Sequence, residues 1–411
     1  MHGEVEKRNV PKLRFKGFED AWKECKLGEI ADVTKLAGFE FTKYVEYSDS
    51  GQKIAIRGLN VKNGKLNLED VKYIDNSNFS KLNRSKLYIN DLLLTYVGTI
   101  GDLAIINEND KYYLAPNVCR IRILNHNSNF IKHLMSSNRF YHTVMIPSIT
   151  TSSQPAMSME SIRAFKMQIP KLGEQTKIAN FLSNVDNIIE EQEGKVKDLE
   201  QYKKGMMQKI FEQEVRFKDE NGEEYPEWEE KWFSEILIED LYPVKKPNKP
   251  YEKLSVRSHA KGTFSSLVEK PEEVAMDTLY EVKANQLIVN ITFAWEHAIA
   301  IVNKEDEGKL VSHRFPTYKF SNNSNYKFYR YVITQKIIKY KLGLASPGGA
   351  GRNRVLNKKE FLKIEVPNPC LQEQTKIANF LSNIDNIIEE ENKKLEDLKL
   401  WKKGLLQQMF V

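Results

Sequence analysis

The glycine-rich motifs that could bind a nucleotide are incomplete in this sequence. A phosphate-binding loop needs four residues between its glycines, followed by Lys and then Ser or Thr, so that backbone amides can surround a phosphate. Gly58 and Gly64 are separated by five residues, and Lys65 is followed by Leu. Gly98-Thr-Ile-Gly101 is too short for a cofactor turn and lacks the helical pattern that should follow it, which is typical of a turn between strands. No nucleotide cofactor is therefore predicted.

Residues that could support hydrolysis or methyl transfer also lack their partners. Glu281-Val-Lys283 has the acidic-x-Lys spacing of a metal-dependent nuclease, but no suitably placed Asp or strand pair accompanies it. Asn368-Pro-Cys370 is not the Asn/Asp-Pro-Pro-aromatic loop that an adenine methyltransferase needs. The histidines show no zinc-binding spacing, and no Gly-x-Ser-x-Gly nucleophile turn occurs. We predict no catalytic residues, no cofactor and no metal site in this chain.

Several loops instead combine cationic, amide, hydroxyl and aromatic side chains, the mixture that positions DNA phosphates and reads base edges. The strongest is the Gly-rich loop after Pro347, because glycines allow close backbone approach to a phosphate while Arg352 and Arg354 can donate paired hydrogen bonds to guanine. Any one such loop is more often simply solvated, and Trp295 equally fits a hydrophobic core. The candidate DNA-binding residues are Arg57, Asn60, Lys62, Tyr96, Thr99, Ser152, Ser153 and Gln154 in the first half, and Arg257, His259, Lys261, Asn290, Trp295, His313, Arg314, Arg352, Asn353 and Arg354 in the second.

Composition is compatible with a multidomain protein that binds an anion. The 411 residues are 41% hydrophobic, enough for two to four domains with their own cores. The net charge of +6 permits an anionic partner without requiring one. Cys25, Cys119 and Cys370 are scattered, so neither a disulfide framework nor a zinc ribbon is expected. No apolar run is long enough to span a membrane and the N-terminus is polar, which predicts a cytoplasmic protein with no membrane partner.

An internal repeat organises the elements that must position these loops. Glu174–Phe211 and Glu373–Phe410 align without a gap, and 25 of 38 positions are identical. Apolar residues recur in both copies at alternating spacings of four and three, which predicts two long helices that pack on each other within the chain. The residues expected to mediate helix pairing and to support partner docking are Ile178, Leu182, Val185, Ile189, Val196 and Leu199, with Ile377, Leu381, Ile384, Ile388, Leu395 and Leu398 in the second copy.

The apolar stripe is interrupted at the same positions in both copies. Polar residues in a helical seam cost stability and commonly fix register and partner choice, although a solvated bend in an ordinary amphipathic helix is an alternative. A glycine also recurs within each helix, where a close backbone approach would explain it. These residues are Gln192, Lys203 and Gly205 in the first copy and Glu391, Lys402 and Gly404 in the second.

The segments before the two helices differ but share landmarks. Arg14–Lys16 followed by Trp22 matches Arg216–Lys218 followed by Trp228. Short apolar runs broken by turn residues predict mixed α/β (α+β) globules, with Phe217–Glu224 as a flexible joint. The predicted order is globule 1–172, helix 173–213, globule 214–370 and helix 371–411.

This plan, with EQTKIANFLSNVDNIIEE and KKG repeated, resembles the specificity subunit of type I restriction–modification systems over essentially the whole chain. The resemblance implies that each globule is a target recognition domain reading one half of a bipartite, asymmetric site in double-stranded DNA. It implies an intramolecular antiparallel coiled coil with pseudo-twofold symmetry, which sets the spacing of the half-sites and docks two modification subunits. It also implies restriction subunits in the full complex. Partner subunits would bind S-adenosylmethionine, and ATP with Mg, while this chain contributes no chemistry.

Two other functions are compatible with the sequence. A catalytic enzyme with degenerate motifs would transfer methyl groups or cut DNA as the purified chain. A coiled-coil scaffold for proteins alone would show no sequence-selective DNA binding, even with its partners present.

Overall fold

The computed structural model of the chain describes residues 10–150, 153–348 and 354–411. The chain divides into two compact units, the first formed by Met1–Lys195 with Glu391–Val411 and the second by Val196–Glu390. Two long helices, Leu172–Phe211 and Leu371–Met409, each contribute one segment to each unit. No helix in the described ranges is long and apolar enough to cross a membrane.

The first unit is built around a four-stranded antiparallel sheet. Its central strand Leu92–Thr95 is buried at every position, as expected for a short apolar run covered on both faces. The strand order is Ala31–Lys35, Val118–Ile123, Leu92–Thr95, Leu103–Ile105. The other pairings are a three-stranded sheet of Lys72–Tyr73, Ile54–Ile56 and Tyr112–Leu114, and the ribbons Lys23–Lys26 with Lys166–Ile169 and Val61–Lys62 with Lys65–Leu66.

Short helices connect these strands. Asn127 begins the helix Ser128–Met135 and accepts the backbone N–H of Phe130 through its side chain, a typical N-cap. The other α-helices are Leu27–Ile30, Gly38–Tyr44, Asn138–Phe140 and Met159–Arg163, with a π-helical turn at Tyr141–Met145 and 3-10 turns at Gly58–Asn60, Phe79–Lys81, Asn83–Ser85 and Ile146–Ser148.

The second unit repeats the four-stranded antiparallel sheet with the same order of strands. These strands are Leu237–Glu239, Thr317–Phe320, Leu287–Val289 and Ile299–Ile301. A five-stranded sheet of Tyr242–Lys245, Thr278–Glu281, Leu310–Val311, Tyr251–Val256 and Thr263–Val268 and a ribbon of Glu229–Trp232 with Glu365–Asn368 complete the strands. The α-helices are Phe233–Ile236, Tyr326–Val332, Lys336–Leu344 and Lys358–Leu362, with 3-10 turns at Pro271–Glu273, Ala294–Glu296 and Lys304–Asp306. The repeat therefore includes the sheets, whose sequences have diverged.

The long helices run antiparallel within each unit. In the first unit, Asp186 pairs with Lys402 at 2.5 Å, and farther along the first helix Gln192 donates to the Glu391 carboxylate at 2.7 Å. The residue number on the second helix falls as the residue number on the first helix rises, so the two helices pack antiparallel. In the second unit, Lys203 forms an ion pair with Asp385. The predicted mixed fold with two globules and two paired helices is confirmed.

Nine of the twelve residues expected to mediate helix pairing are buried, and Leu199, Ile388 and Leu398 are half-buried. The polar positions in the stripe contact the opposite helix and are not a solvated bend, as the ion pairs of Lys203 and Lys402 demonstrate. The close backbone approach expected at the repeated glycines is wrong. A Cβ added at Gly205 or Gly404 would meet no atom within 4 Å outside the helix itself.

A buried carboxylate explains the landmarks shared by the two globules. Arg14 donates to both oxygens of Glu174 at 2.7 and 2.8 Å, and Trp22 Nε1 lies 3.4 Å from the same carboxylate. In the second unit, Arg216 and Trp228 bind Glu373 at 2.9 and 3.0 Å. A buried charge needs a paired partner and further hydrogen bonds, so each cluster anchors the segment preceding its globule to the start of a long helix.

Candidate nucleic-acid interface

A cleft of about 670 Å³ in the first unit collects several predicted DNA-binding residues. Its walls are the 3-10 turn Gly58–Asn60, the start of the Val61–Lys62 ribbon, and the turn that follows strand Leu92–Thr95. The polar side chains that line it are those of Tyr47, Arg57, Lys62, Asn67, Thr99, Asp102 and Asn117. Lys62, Thr99 and Asn117 are exposed, so their polar groups face solvent at the opening. The cleft offers cations and amide groups to an anionic, hydrogen-bonding ligand.

Arg57 is held in position by its neighbours. Its Nη2 donates to the backbone carbonyl of Asp70 at 2.7 Å and to the Asp70 carboxylate at 3.0 Å, and its Nε donates to Asn60 Oδ1 at 3.3 Å. Among the described residues, the other terminal nitrogen, Nη1, makes no hydrogen bond. A guanidinium fixed along one edge in this way keeps its two remaining donors, both on Nη1, in one orientation.

Asn60 is fully buried beneath this arginine. Its amide nitrogen donates to the carbonyls of Asn67 and Asp70 at 2.9 and 2.7 Å, and its oxygen accepts the Arg57 backbone N–H at 3.1 Å. These bonds use both donors and the acceptor, so the side chain organises the turn from inside. We assign Asn60 as a positioning residue for Arg57.

The remaining predicted residues of the first unit lie at different depths. Tyr96 is buried, its burial raises the pKa of its hydroxyl, and Lys35 lies over its ring at 5.4 Å, so no face is open for stacking on a base. Ser153 and Gln154 are exposed, and Ala156, two residues further on, forms a β-bridge with Val97 of the cleft wall. Ser152 lies outside the described residues.

In the second unit, separate loops converge on the turn 290–297. Ile291 donates its backbone N–H to the carbonyl of Arg314 at 3.0 Å and accepts that of Leu356 at 2.8 Å. The Arg354 guanidinium lies 5.5 Å from the centre of the Trp295 ring, within the range of a cation–π contact. The structure thus brings together residues that are distant in sequence: Trp295, Arg314 and Arg354.

A third loop joins this cluster through backbone hydrogen bonds. His259 and Ala260 donate to the carbonyls of Glu296 and His297, each at 2.8 Å. All three of His259, Ala260 and His297 have left-handed backbone conformations, with φ of 63°, 51° and 68°. Non-glycine residues rarely adopt this region, and clusters of them are typical of functional loops.

His297 is fixed inside the cluster. Its Nε2 lies 2.6 Å from the carbonyl of Ile333 and must donate, because a carbonyl only accepts. Burial lowers the pKa of the imidazole, so it stays neutral near pH 7. Asn290 is nearly buried, and its side chain accepts the backbone N–H of Thr292, which assigns it to the turn itself.

The other predicted residues of the second unit lie around this cluster. Arg257 is exposed and stacks on Phe264 at 5.2 Å, while Lys261 and His313 are exposed. Arg352 and Asn353 lie outside the described residues. The side chains able to face a ligand are therefore cationic and aromatic.

Sequence reasoning missed Tyr47, Asn67 and Asn117 of the first cleft. Asn117 follows Pro116 and has a φ of 72°, so the Pro-Asn pair before a strand was a usable turn signal. Tyr47 carries no comparable signal, because it lies beside the bridge between Ser48 and Tyr73, which are 25 residues apart. Asn67 is placed locally, since it follows the ribbon of Val61–Lys62 with Lys65–Leu66 and donates its backbone N–H to the carbonyl of Asn60.

Cysteine and metal chemistry have no organised site in the ranges that the structure describes. Burial raises the pKa of the Cys25 thiol to about 11 and that of Cys119 to about 12, so both remain protonated at neutral pH. No group of three or more His, Cys, Asp or Glu side chains that could hold a metal ion is present among the described residues.

The chain contains two related globules, and each has a cluster of cationic side chains with amide or aromatic ones. Paired helices are shared between the globules. This arrangement defines a two-module binding protein. The chain belongs to the family of type I restriction modification DNA specificity domains, whose model matches residues 19–201 and 230–400. One copy of the domain therefore lies in each half of the chain, and the resemblance seen in the sequence is confirmed.

Relatives and solved structures agree with this family. The chain is 23% identical to a protein assigned as the MjaX type I restriction enzyme specificity subunit of Methanocaldococcus jannaschii, over 97% of this chain and 95% of that protein. It is 24% identical to the MjaVIII specificity subunit of the same organism, over 80% and 81%. Its fold is similar to that of a type I restriction-modification S subunit from M. genitalium, with a TM-score of 0.58 and 14% identity over 98% and 99% of the chains. A chain from a structural study of type I R-M complex assembly gives 0.54 and 13% over 95% and 97%.

Proposed function

We propose that this chain is the DNA-reading subunit of a type I restriction–modification complex, and that each unit reads one half of a bipartite site in double-stranded DNA. The presence of two specificity domains, each with its own cluster of DNA-compatible side chains, carries this proposal. The first cluster presents Arg57 and Lys62 with amide groups, and the second presents Arg354 stacked on Trp295. Because the two clusters differ in chemistry, the two half-sites should differ in sequence.

In this scheme, different residues would contact the DNA phosphates and the base edges. Exposed lysines such as Lys62 and Lys261 are suited to phosphates, which give affinity without sequence information. Arg57 is suited to a base edge, because its guanidinium is already held in one orientation by Asp70 and Asn60. The donors that remain, both on Nη1, could then bond a base acceptor such as guanine O6 or N7.

Two modification subunits would dock on the outer faces of the long helices, which would also set the spacing of the half-sites. The buried stripe is occupied by helix pairing, so docking requires other residues. Ile188 and Ile387 occupy equivalent repeat positions and are both exposed, as are Tyr202 and Trp401. Exposed aliphatic and aromatic side chains repeated in this way suit one partner per repeat.

The chemistry of the complex would belong to its other subunits. Modification subunits would bind S-adenosylmethionine and methylate adenine, and restriction subunits would bind ATP with Mg. This chain would select the site, in the cytoplasm where the chromosome is.

Sequencing of methylated DNA tests this function. Cells that produce this chain with its modification subunits are compared with cells that lack only this chain. The proposal expects a split adenine motif that appears only when this chain is present. An assembled complex that creates no new motif would contradict the proposal and favour a scaffold for proteins.

A further inference from the structure

The helix Lys336–Leu344 of the second unit exposes an apolar ridge. Ile337, Tyr340 and Leu344 lie at the spacing of one helical face and are 52%, 63% and 65% exposed. The opposite face is fully used, because Ile338 and Leu342 are buried in the core of the unit. A contiguous ridge of large apolar side chains on a protein surface is typical of a binding face.

The charge of this helix favours a polyanion as its ligand. It carries Lys336, Lys339 and Lys341 and no acidic residue. Lys341 donates to the backbone carbonyl of Glu365 at 2.7 Å. Lys336 and Lys339 are exposed, and neither forms an ion pair within the part of the chain that the structure describes. Two free ammonium groups beside an apolar ridge match a surface of phosphates and base edges better than an apolar protein groove.

The position of the helix also points to DNA. It packs against the turn Ala294–Glu296 at the centre of the candidate interface. Arg354, which stacks on Trp295, follows the last residue of the helix by ten positions in the sequence. The helix therefore lies next to the cationic and aromatic cluster.

We propose that the helix Lys336–Leu344 enters the major groove of one half-site, where Ile337 and Leu344 contact thymine methyl groups and Lys336 and Lys339 contact phosphates. The inference rests on the proposed function and adds the groove, the reading element and the base feature that is read. An α-helix with its side chains is about 10–12 Å across, and the major groove is about 12 Å wide. The thymine C5-methyl is the apolar feature that the major groove presents.

The first experiment uses the full chain assembled with its modification subunits. The double variant Ile337→Ser/Leu344→Ser is compared with wild type and with Leu267→Ser by sequencing methylated DNA. Leu267 is a matched control, because it is 60% exposed in the same unit but lies opposite Glu252 on a strand pair. We expect the double variant to tolerate other bases at A·T positions in one half of the motif only, with the other half and the control unchanged.

The second experiment replaces thymine by uracil at each relaxed position of a duplex carrying the motif. Loss of one buried methyl group should weaken wild-type binding about four-fold and leave the double variant unaffected. The variant Lys336→Gln/Lys339→Gln should bind more weakly without a change in motif, and the slope of log affinity against log salt should fall by about two.

The outcomes separate this inference from the proposed function. An unchanged motif and an unchanged salt slope in these variants would overturn the inference while the wild-type motif still supports the function. Loss of all methylation together with loss of co-purified modification subunits would show that the face docks a protein, which also overturns it. A wild-type complex that gives no split motif would contradict the proposed function itself, and the inference with it.

Discussion

The backbone N–H of Leu13 donates to the carbonyl of Gln408 at 2.9 Å, although these residues lie near opposite ends of the sequence. In the second unit, the equivalent bond joins Val215 to Lys209 at 3.2 Å within one continuous turn of chain. The first unit thus rebuilds, from the two ends of the chain, a junction that the second unit builds from a single segment. The segment before the first globule is therefore bonded to the end of a long helix in the same way as its internal counterpart.

Phe410 should hold this junction in the first unit. It is buried, and its ring lies 6.3 Å from that of Trp22 and 5.5 Å from that of Phe130. We expect Phe410→Ala to lower the free energy of unfolding of the first unit by about 3–5 kcal/mol, because it removes a buried ring and leaves a cavity. Denaturant titration measures this loss. Phe39→Ala is the control, since Phe39 is 66% exposed and its removal should cost less than about 0.5 kcal/mol.

Modular reading predicts that arginine variants affect one half-site each. Arg57→Ala should relax one half of the methylated motif and Arg354→Ala the other, each with a loss of roughly 1–3 kcal/mol in discrimination. Arg330→Ala is a matched control, because Arg330 is an exposed arginine on the helix Tyr326–Val332 of the second unit. Its side chain donates to that of Asn303. Motif sequencing reads both halves at once. An equal loss at both halves from either variant would contradict independent reading.

The parts of this structure that could be predicted are those encoded locally or by repetition. The heptad stripe predicted helix pairing, because apolar residues such as Leu182 and Leu381 recur at fixed intervals. Both residues are fully buried in the structure. Amino-acid composition could not distinguish a residue that contacts DNA bases from a residue that only positions such a residue. Asn60 has the chemistry of a base reader, yet it is buried under Arg57, because it ends a 3-10 turn and its amide donates to the carbonyls of Asn67 and Asp70. Tyr47 reaches the same cleft through long-range strand pairing, which has no local signature.

Glu391 should make the helix pair sensitive to acid. Gln192 donates to its carboxylate at 2.7 Å, and Lys394 and Lys195 lie at 2.8 and 3.0 Å. The hydrogen bond from Gln192, followed by those from the two lysines, lowers the pKa of Glu391 to about 2. A carboxyl whose folded pKa is below its unfolded value of about 4.3 stabilises the fold above that value, and the stabilisation is lost as pH falls toward 2.

Urea midpoints measured between pH 2 and pH 6 test this dependence. Glu391→Gln should flatten the change in midpoint over the acid part of that range, because the titrating group is gone. Glu396→Gln should keep the wild-type dependence, since its side chain is 76% exposed on the same helix. If Glu391→Gln follows the wild-type curve throughout, the seam does not depend on this carboxylate.

Tyr202 and Trp401 should each support one modification subunit. They occupy equivalent positions in the repeat and are 52% and 47% exposed, and exposed aromatic rings are the residues most often found to dominate binding energy at interfaces. We expect Tyr202→Ala and Trp401→Ala each to weaken one docking event by about 2 kcal/mol or more, and the double variant to lose both. Native mass spectrometry of the complex counts the bound subunits. Ile238→Ala, which truncates a 50% exposed side chain on a strand of the second unit, should retain two. Full occupancy in the double variant would place docking on another face of the helices.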